Sequence, residues 1–144
     1  MAKIFLLGVD GSECGERALE VAADHVRASS GKLVLCYVIP WSPFTFSTAE
    51  ENAERHRRRE EELSIAMTKF LQPRAKALGA EGLDVEVVAR HGHPAKTLAA
   101  LAREYDADTI VIGNRGDTPL KTRILGGTAT ALIQISHCPV LVVP

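Results

Sequence analysis

A stretch rich in glycine and cations, residues 113–128, contains the residue types best suited to binding an anion. Glycines let backbone N–H groups approach a phosphate closely, and cationic side chains balance its charge. One glycine alone would indicate only a turn, but here several bracket a basic loop: Gly113, Arg115, Gly116, Lys121, Arg123, Gly126 and Gly127. Thr128 follows at the expected start of a helix, where its hydroxyl could cap the helix or bond to a phosphate oxygen. The stretch therefore predicts a phosphate or other anion site.

Asp10 is the residue that invites an enzymatic interpretation, because phosphoaspartyl enzymes carry their nucleophile at the end of a first strand. Those enzymes have Asp or Thr two residues later, whereas this chain has Ser12. The Walker A loop, the dinucleotide motif Gly-x-Gly-x-x-Gly after the first strand and the Gly-x-Ser-x-Gly elbow are all absent from the sequence. The motifs therefore favour binding over catalysis.

Alternating strands and helices must position these residues. Buried strands are predicted where the sequence is continuously apolar, at residues 3–9, 32–38, 109–112 and 140–143, and a half-solvated edge strand where it alternates, at residues 83–89. Helical patterns separate the strands, at residues 13–29, 49–78, 94–104 and 129–136. This order predicts one α/β domain over residues 1–144, with an open parallel sheet and helices on both faces. Ligands of such sheets bind at the carboxyl ends of the strands, where Asp10, Val38 and residues 113–128 would meet.

Composition narrows the classes of partner. The chain has 144 residues, with 17 Lys and Arg against 18 Asp and Glu, so it lacks the positive field that nucleic-acid binding needs. It also lacks the roughly 20 consecutive apolar residues of a membrane span and the apolar core of a secretory signal. Its cysteines, Cys14, Cys36 and Cys138, are odd in number and far apart, which indicates reduced thiols. We therefore expect a cytoplasmic protein without nucleic-acid or membrane partners, with Cys36 in the core and Cys14 in a first helical turn.

The charged run at residues 55–62 has two interpretations. It could be a basic patch, but its acidic residues are interleaved with the arginines at helical spacing, as in Glu54/Arg58, Arg57/Glu61 and Arg58/Glu62. A solvated helix face is the better interpretation. Pro73 lies inside the same helical pattern and predicts a kink or a restart there.

Two further segments carry weaker signals. Residues 41–48 combine aromatic residues, Ser, Thr and Pro without periodicity, which predicts a mobile loop that could act as a lid. His91-Gly92-His93 could suggest a metal site, but no carboxylate or cysteine stands nearby in the sequence. We expect a turn with exposed imidazoles and no metal.

The glycine spacing resembles that of the universal stress protein family, whose nucleotide-binding branch carries Gly-x2-Gly-x9-Gly-(Ser/Thr). Gly113, Gly116 and Gly126 match this spacing, but Gly127 stands where the motif has Ser or Thr, and Thr128 follows one residue later. The resemblance covers the whole chain and includes three shorter matches, Val9-Asp10-Gly11-Ser12, Gly92-His93-Pro94 and the segment from Cys138 to Val143. Because Gly127 stands in place of Ser or Thr, the chain lacks a hydroxyl that the resemblance would assign to the terminal phosphates of the nucleotide.

The resemblance implies a Rossmann-like five-stranded sheet of order 3-2-1-4-5 and a homodimer formed through the last strand, Val140–Val143. It implies a stress-response protein that binds ATP, or ADP or AMP, with Mg²⁺ as the accompanying ion, and that acts as a ligand-dependent switch on an unknown protein partner. It assigns the adenine and ribose side to Gly8, Val9, Asp10, Val38, Ile112 and Gly113, and the ribose and phosphates to Arg115, Gly116, Gly126, Gly127 and Thr128. Hydrolysis would be very slow at most. The alternative is the branch of the family that binds no nucleotide, a dimeric interaction module.

Overall fold

The computed structural model describes residues 2–9, 13–40, 48–114 and 126–144. Strands and helices alternate along the chain, except that two helices joined by a π-helical segment, Ala66–Leu71, precede the third strand. The strands are β1 (Ile4–Val9), β2 (Lys32–Ile39), β3 (Asp84–His91), β4 (Thr109–Gly113) and β5 (Val140–Val143). The helices are α1 (Glu13–Ser29), α2 (Ala49–Ile65), α3 (Gln72–Ala80), α4 (Pro94–Glu104) and α5 (Gly127–Ile135). Both the α/β class and the edge position predicted for β3 are confirmed.

The five strands form one parallel sheet in the order β3-β2-β1-β4-β5. This confirms the order that the family resemblance implied. β1 lies at the centre, pairing with β2 on one side and β4 on the other, so the chain reverses its winding direction between those two neighbours. The point of reversal opens a crevice at the carboxyl ends of β1, β2 and β4, which is where ligands of such folds bind.

Helices cover both faces of the sheet because successive strand residues point to opposite sides. Leu6 of β1 packs toward α4 and α5, in a cluster that also contains Cys36. Its neighbour Leu7 packs toward α1 and the π-helical segment. Both leucines are fully buried, and each contributes about 1.5–3 kcal/mol relative to an exposed side chain. Cys36 is likewise fully buried, which confirms its predicted place in the core.

The link from α1 to β2 depends on a close backbone approach. α1 ends at Ser29, Ser30 takes a left-handed conformation with a φ of 53°, and Gly31 donates its N–H to the carbonyl oxygen of Val26 at 3.1 Å. A Cβ at Gly31 would lie 2.2 Å from the carbonyl oxygen of Lys3. Only glycine lets the chain turn here and enter β2 beside β1.

The long helical pattern of residues 49–78 is interrupted earlier than the sequence indicates. α-Helical hydrogen bonding stops after Ile65, and across Ala66–Leu71 the carbonyl groups accept bonds from further along the chain, as when Gln72 donates its N–H to Met67 five residues back. Pro73 then lies in the first turn of α3, where its missing N–H costs no helical bond. The restart predicted at Pro73 is therefore confirmed, but a π-helical segment rather than a kink precedes it.

Most residues of α2 are exposed, and none of them is fully buried. Thr48 caps it: the hydroxyl accepts the N–H of Glu51 at 3.1 Å, and the Glu51 carboxylate accepts the N–H of Thr48 at 3.1 Å. Glu54 pairs with Arg57 at 2.6 Å and with Arg58 at 3.5 Å, and the bond from Arg57 lowers the pKa of the Glu54 carboxyl. The solvated, ion-paired face is thus confirmed for Glu54/Arg58. Within the described ranges no helix is both long and apolar enough to span a membrane.

Candidate functional site

A cleft of about 380 Å³ opens at the carboxyl ends of β1, β2 and β4, between the N-terminal ends of α4 and α5. Every residue predicted for the site that the structure describes lines this one cleft: Gly8, Val9, Val38, Ile112, Gly113, Gly126, Gly127 and Thr128. The other three predicted residues, Asp10, Arg115 and Gly116, lie outside the described residues, as do residues 41–47 of the predicted lid. Residues 120 positions apart in sequence are therefore brought together where the topology predicts a ligand.

Gly8 forms the floor of the cleft because it lets α4 pack closely on β1. A Cβ at this position would lie 2.9 Å from Cδ1 of Leu98 and 3.4 Å from Cγ2 of Ile112. Leu98 is buried, with 3% of its surface exposed, and it too lines the cleft. A side chain at Gly8 would push Leu98 toward the space that a ligand would occupy.

The apolar part of the cleft lining, here called the apolar slot, includes Val38, Pro40, Pro94, Leu98 and Ile112. Val38 pairs with β3 through its register partner Arg90, so its position is fixed by the sheet. Ligand sites commonly combine apolar walls with a few convergent polar groups. A slot of this composition suits a flat heterocycle and disfavours a charged group.

The N-terminus of α5 also lines the cleft. Gly126 is its N-cap, with φ of −61° and ψ of 155°, and as a glycine it has no side chain to cap the helix. Because the first N–H groups of a helix have no intrahelical acceptor, they present partial positive charge to the cleft. Of the two roles that the sequence left open for Thr128, capping the helix is wrong, since Gly126 is the N-cap, α5 begins at Gly127, and Thr128 lies in the first turn.

Asn114 is a cleft residue that the sequence does not indicate. Its N–H donates to the carbonyl oxygen of Val143 at 2.7 Å, and its own carbonyl oxygen accepts the N–H of Gly126 at 2.9 Å. It thus ties the end of β4 to β5 and to the start of α5. The sequence feature that could have identified Asn114 is its position directly after Gly113, near the start of the glycine-rich stretch.

The cleft also contains Cys36 and Tyr37, which sequence reasoning did not assign to it. Burial raises the pKa of the Cys36 thiol, so the group stays protonated and is a poor nucleophile. The Tyr37 ring makes an edge contact with Phe70, with centroids 5.1 Å apart and planes at 72°. Both residues belong to β2. Residues 32–38 form a continuous apolar run, so their sequence does not distinguish a residue that contacts a ligand from one that packs in the core.

The two histidines of the His91-Gly92-His93 turn have different environments. His91 is buried, with 7% of its side chain exposed, and its Nε2 lies 3.0 Å from Oε2 of Glu62. His93 is exposed and caps α4, its Nδ1 accepting the N–H of Lys96 at 3.3 Å. The expectation of exposed imidazoles is therefore confirmed for His93 and wrong for His91. Among the residues that the structure describes, no three His, Cys, Asp or Glu side chains are grouped to hold a metal ion.

Comparison with known proteins identifies the family. The model of the universal stress protein family matches residues 1–144. A universal stress protein of Methanocaldococcus jannaschii is 30% identical over 98% of this chain and 81% of its own length. The structure of the universal stress protein UspA from Lactobacillus plantarum has the same fold, with a TM-score of 0.83, 21% identity, and coverage of 99% of this chain and 97% of that one.

A further solved structure, a universal stress protein in complex with cAMP, is 29% identical to this chain. It covers 99% of this chain and 96% of its own, with a TM-score of 0.62. The sheet order, the glycine spacing and the full-length match agree with one another. The chain therefore belongs to the universal stress protein family.

Proposed function

We propose that this chain binds an adenine nucleotide in the cleft, with the base in the apolar slot and the phosphates at the N-terminus of α5. The observation that carries the proposal is the convergence of the motif glycines, Gly113, Gly126 and Gly127, with Gly8 and Val38 in one crevice. The cAMP complex of a relative 29% identical over the whole chain supports the same ligand class. The uncapped N–H groups of α5 are suited to phosphate oxygens.

The proposed ligand is ATP, or ADP or AMP with fewer phosphates. Gly127 supplies no hydroxyl for the terminal phosphates, but its N–H remains at the first position of α5, and the Thr128 hydroxyl stands one residue later. Mg²⁺ would enter with the nucleotide, because it keeps several of its waters and binds mainly through substrate phosphates. The protein's own contribution is to hold the base and the phosphates.

We further propose that the protein acts as a homodimeric, ligand-dependent switch rather than as an efficient enzyme. β5 is an edge strand of valine and leucine, and an apolar edge is a liability unless another strand pairs with it. The same end of the chain exposes Ile133 and Ile135, by 52% and 44%. Sedimentation should therefore give about twice the chain mass of 15.6 kDa, and a monomer would refute the dimer.

The binding proposal is tested by calorimetric titration of Mg·ATP and of AMP into protein stripped of nucleotide. Gly126→Asp and Gly126→Asn make a matched pair, because both residues are good N-caps and nearly equal in shape. Only Asp places a negative charge where the phosphates should lie, so we expect it to weaken Mg·ATP binding much more than Asn does. Equal affinities of the two variants would contradict the placement of phosphate at α5.

One observation favours the second candidate function, an interaction module that binds no nucleotide. Gly127 replaces the Ser or Thr of the family's phosphate motif. In the same titration, absence of heat and of competition with both nucleotides would support that module. Equal affinities for Mg·ATP and AMP would instead mean that only the adenosine half of the site is functional.

A further inference from the structure

Two ion pairs join α1 to α3, one at each end of the groove between these helices. At the end nearer the cleft, Nε of Arg74 donates to Oε1 of Glu16 at 2.9 Å. At the opposite end, Arg27 pairs with Glu81, the C-cap of α3. Arg27 follows the cleft residue Gly15 by twelve positions, which places it about 18 Å further along α1. The first pair therefore adjoins the cleft, and the second lies well away from it.

The first turn of α1 lies between the cleft and the groove. Gly15 is buried and lines the cleft, whereas the next residue, Glu16, lines the groove. The backbone that forms this part of the cleft wall therefore carries the carboxylate that Arg74 binds. The side chains of Glu16 and Arg74 are 46% and 30% exposed, so the pair is partly buried and is screened less by water and salt than a surface pair.

Arg74 also holds a second part of the cleft wall, through Phe70. Its Nη1 donates to the carbonyl oxygen of Phe70 at 3.0 Å, and its guanidinium lies 3.9 Å from the centroid of the Phe70 ring. The same ring meets Tyr37 of β2 edge to face, with centroids 5.1 Å apart, and Tyr37 lines the cleft. Both ring contacts are favourable arrangements. One guanidinium thus connects the α1 side of the cleft wall with the β2 side, although Arg74 does not itself line the cleft.

We infer that Arg74 is a positioning residue for nucleotide binding, which fixes the α1 and β2 parts of the cleft wall relative to each other without touching the ligand. Binding costs less free energy when the groups that contact a ligand are already held in place. The inference rests on the proposed function, because it requires an adenine nucleotide in the cleft. It requires no second arrangement of the helices, since loss of the guanidinium leaves the same wall less firmly held.

Arg74→Met tests the inference, because methionine keeps an apolar side chain against the Phe70 ring and removes every hydrogen bond of the guanidinium. We expect the Kd of AMP to rise about threefold to tenfold, which is the effect of having to order about one more side chain on binding. Adenosine, which has no phosphate, should lose affinity by a similar factor. The measurement is calorimetric titration of AMP and of adenosine into protein stripped of nucleotide.

Arg27→Met is the matched control. It makes the same change of residue type and also removes an ion pair between α1 and α3, but far from the cleft. Urea titrations give the stability that each variant loses, and the binding titrations are made where both variants are folded. We expect Arg27→Met to bind AMP and adenosine with wild-type Kd values. An equal rise of Kd in both variants would overturn the inference, because general loosening of the two helices would then explain the loss of affinity.

A double variant separates position from charge. Arg74→Met leaves the Glu16 carboxylate without its partner, and like charges repel, so this carboxylate is a second way to weaken the binding of a phosphate. Repulsion predicts that AMP loses affinity and adenosine does not, and that adding Glu16→Gln to Arg74→Met restores the affinity for AMP. Positioning predicts that both ligands lose affinity and that the double variant stays weak. The pattern expected from repulsion would overturn the inference.

The outcomes also distinguish this inference from the proposed function. Wild-type Kd values of Arg74→Met for both ligands would overturn the inference and leave the nucleotide site intact. If Arg74→Met does not fold, Arg74→Lys takes its place, because a lysine keeps the charge but lacks the planar group that reaches Glu16 and Phe70 together. The same rise of Kd is then expected, and unchanged Kd values would overturn the inference. Absence of binding to the wild-type protein would overturn the proposed function, and this inference with it.

Discussion

Replacing Gly127 by serine should strengthen the binding of Mg·ATP. In the part of the chain that the structure describes, no atom lies within 4 Å of an ideal Cβ at Gly127, and the residue is exposed at the first position of α5, so a serine side chain fits without moving those residues. Its hydroxyl would occupy the position at which the family motif has Ser or Thr. A hydrogen bond from this group to a charged phosphate is worth about 1.5–3 kcal/mol.

That energy corresponds to about a tenfold to hundredfold decrease in the Kd of Mg·ATP, since 1.4 kcal/mol is one factor of ten. AMP lacks the terminal phosphates, so its affinity should change little. Gly127→Ala is the matched control, because it removes the same glycine from α5 without adding a hydroxyl. Both variants make the start of α5 stiffer to the same extent. The difference between their Kd values for Mg·ATP therefore measures the effect of the hydroxyl alone.

The assay is calorimetric titration of wild type, Gly127→Ser and Gly127→Ala, all stripped of nucleotide and in the same salt. Equal Kd values of the serine and alanine variants for Mg·ATP would refute the argument. An equal gain for AMP and Mg·ATP would also refute it, because the hydroxyl would then act on a part of the ligand that both nucleotides share.

Four other substitutions test the site and the fold. Thr128→Ala should weaken Mg·ATP binding about tenfold or more if its hydroxyl replaces the one missing at Gly127, and unchanged affinity would exclude that role. Gly31→Ala should lower the free energy of unfolding by about 1–3 kcal/mol in urea titrations, because its Cβ would lie 2.2 Å from the Lys3 carbonyl oxygen. Gly79→Ala in α3, where no atom of the described residues lies within 4 Å of the added Cβ, should instead raise it by up to about 1 kcal/mol, and equal effects would contradict both. Burial raises the pKa of Cys36 above its ordinary 9.0, so the folded chain keeps a proton that the unfolded chain loses. Stability should therefore decrease as the pH rises above about 9, and a Cys36→Ala variant with an equal decrease would contradict this assignment.

The fold could be predicted largely because hydrophobic patterning identifies each strand and its exposure. The alternation that begins at Leu83 predicts one solvated face, and β3 is indeed an edge strand. The π-helical segment could not be predicted, because apolar spacing does not specify whether a carbonyl group bonds four or five residues ahead. Pro73 indicated a break, but the contact of Phe70 in this segment with Tyr37, a residue of a distant strand, is not visible in the local sequence. The burial of His91 likewise depends on Glu62, 29 residues away.

The candidate site was likewise predicted only in part. The glycines were identified because their spacing is typical of a backbone that approaches a ligand closely. Asn114 was missed because it acts through backbone atoms that every residue has, and only the pairing of β4 with β5 provides Val143 as its partner. The start of α5 was misplaced because Gly and Thr are similarly acceptable N-caps, so composition does not decide between Gly126 and Thr128.

The hydrogen bond from the Gly126 N–H to the Asn114 carbonyl oxygen has a consequence for how such proteins diversify. It closes the base of the intervening segment independently of that segment's own sequence. Each doubling of the length of a closed loop costs only about 0.6 kcal/mol in entropy. The sequence between Asn114 and Gly126 can therefore vary while this bond keeps the end of β4 beside the start of α5. Ligand preference can evolve, or be engineered, by exchanging residues 115–125 without redesigning the sheet.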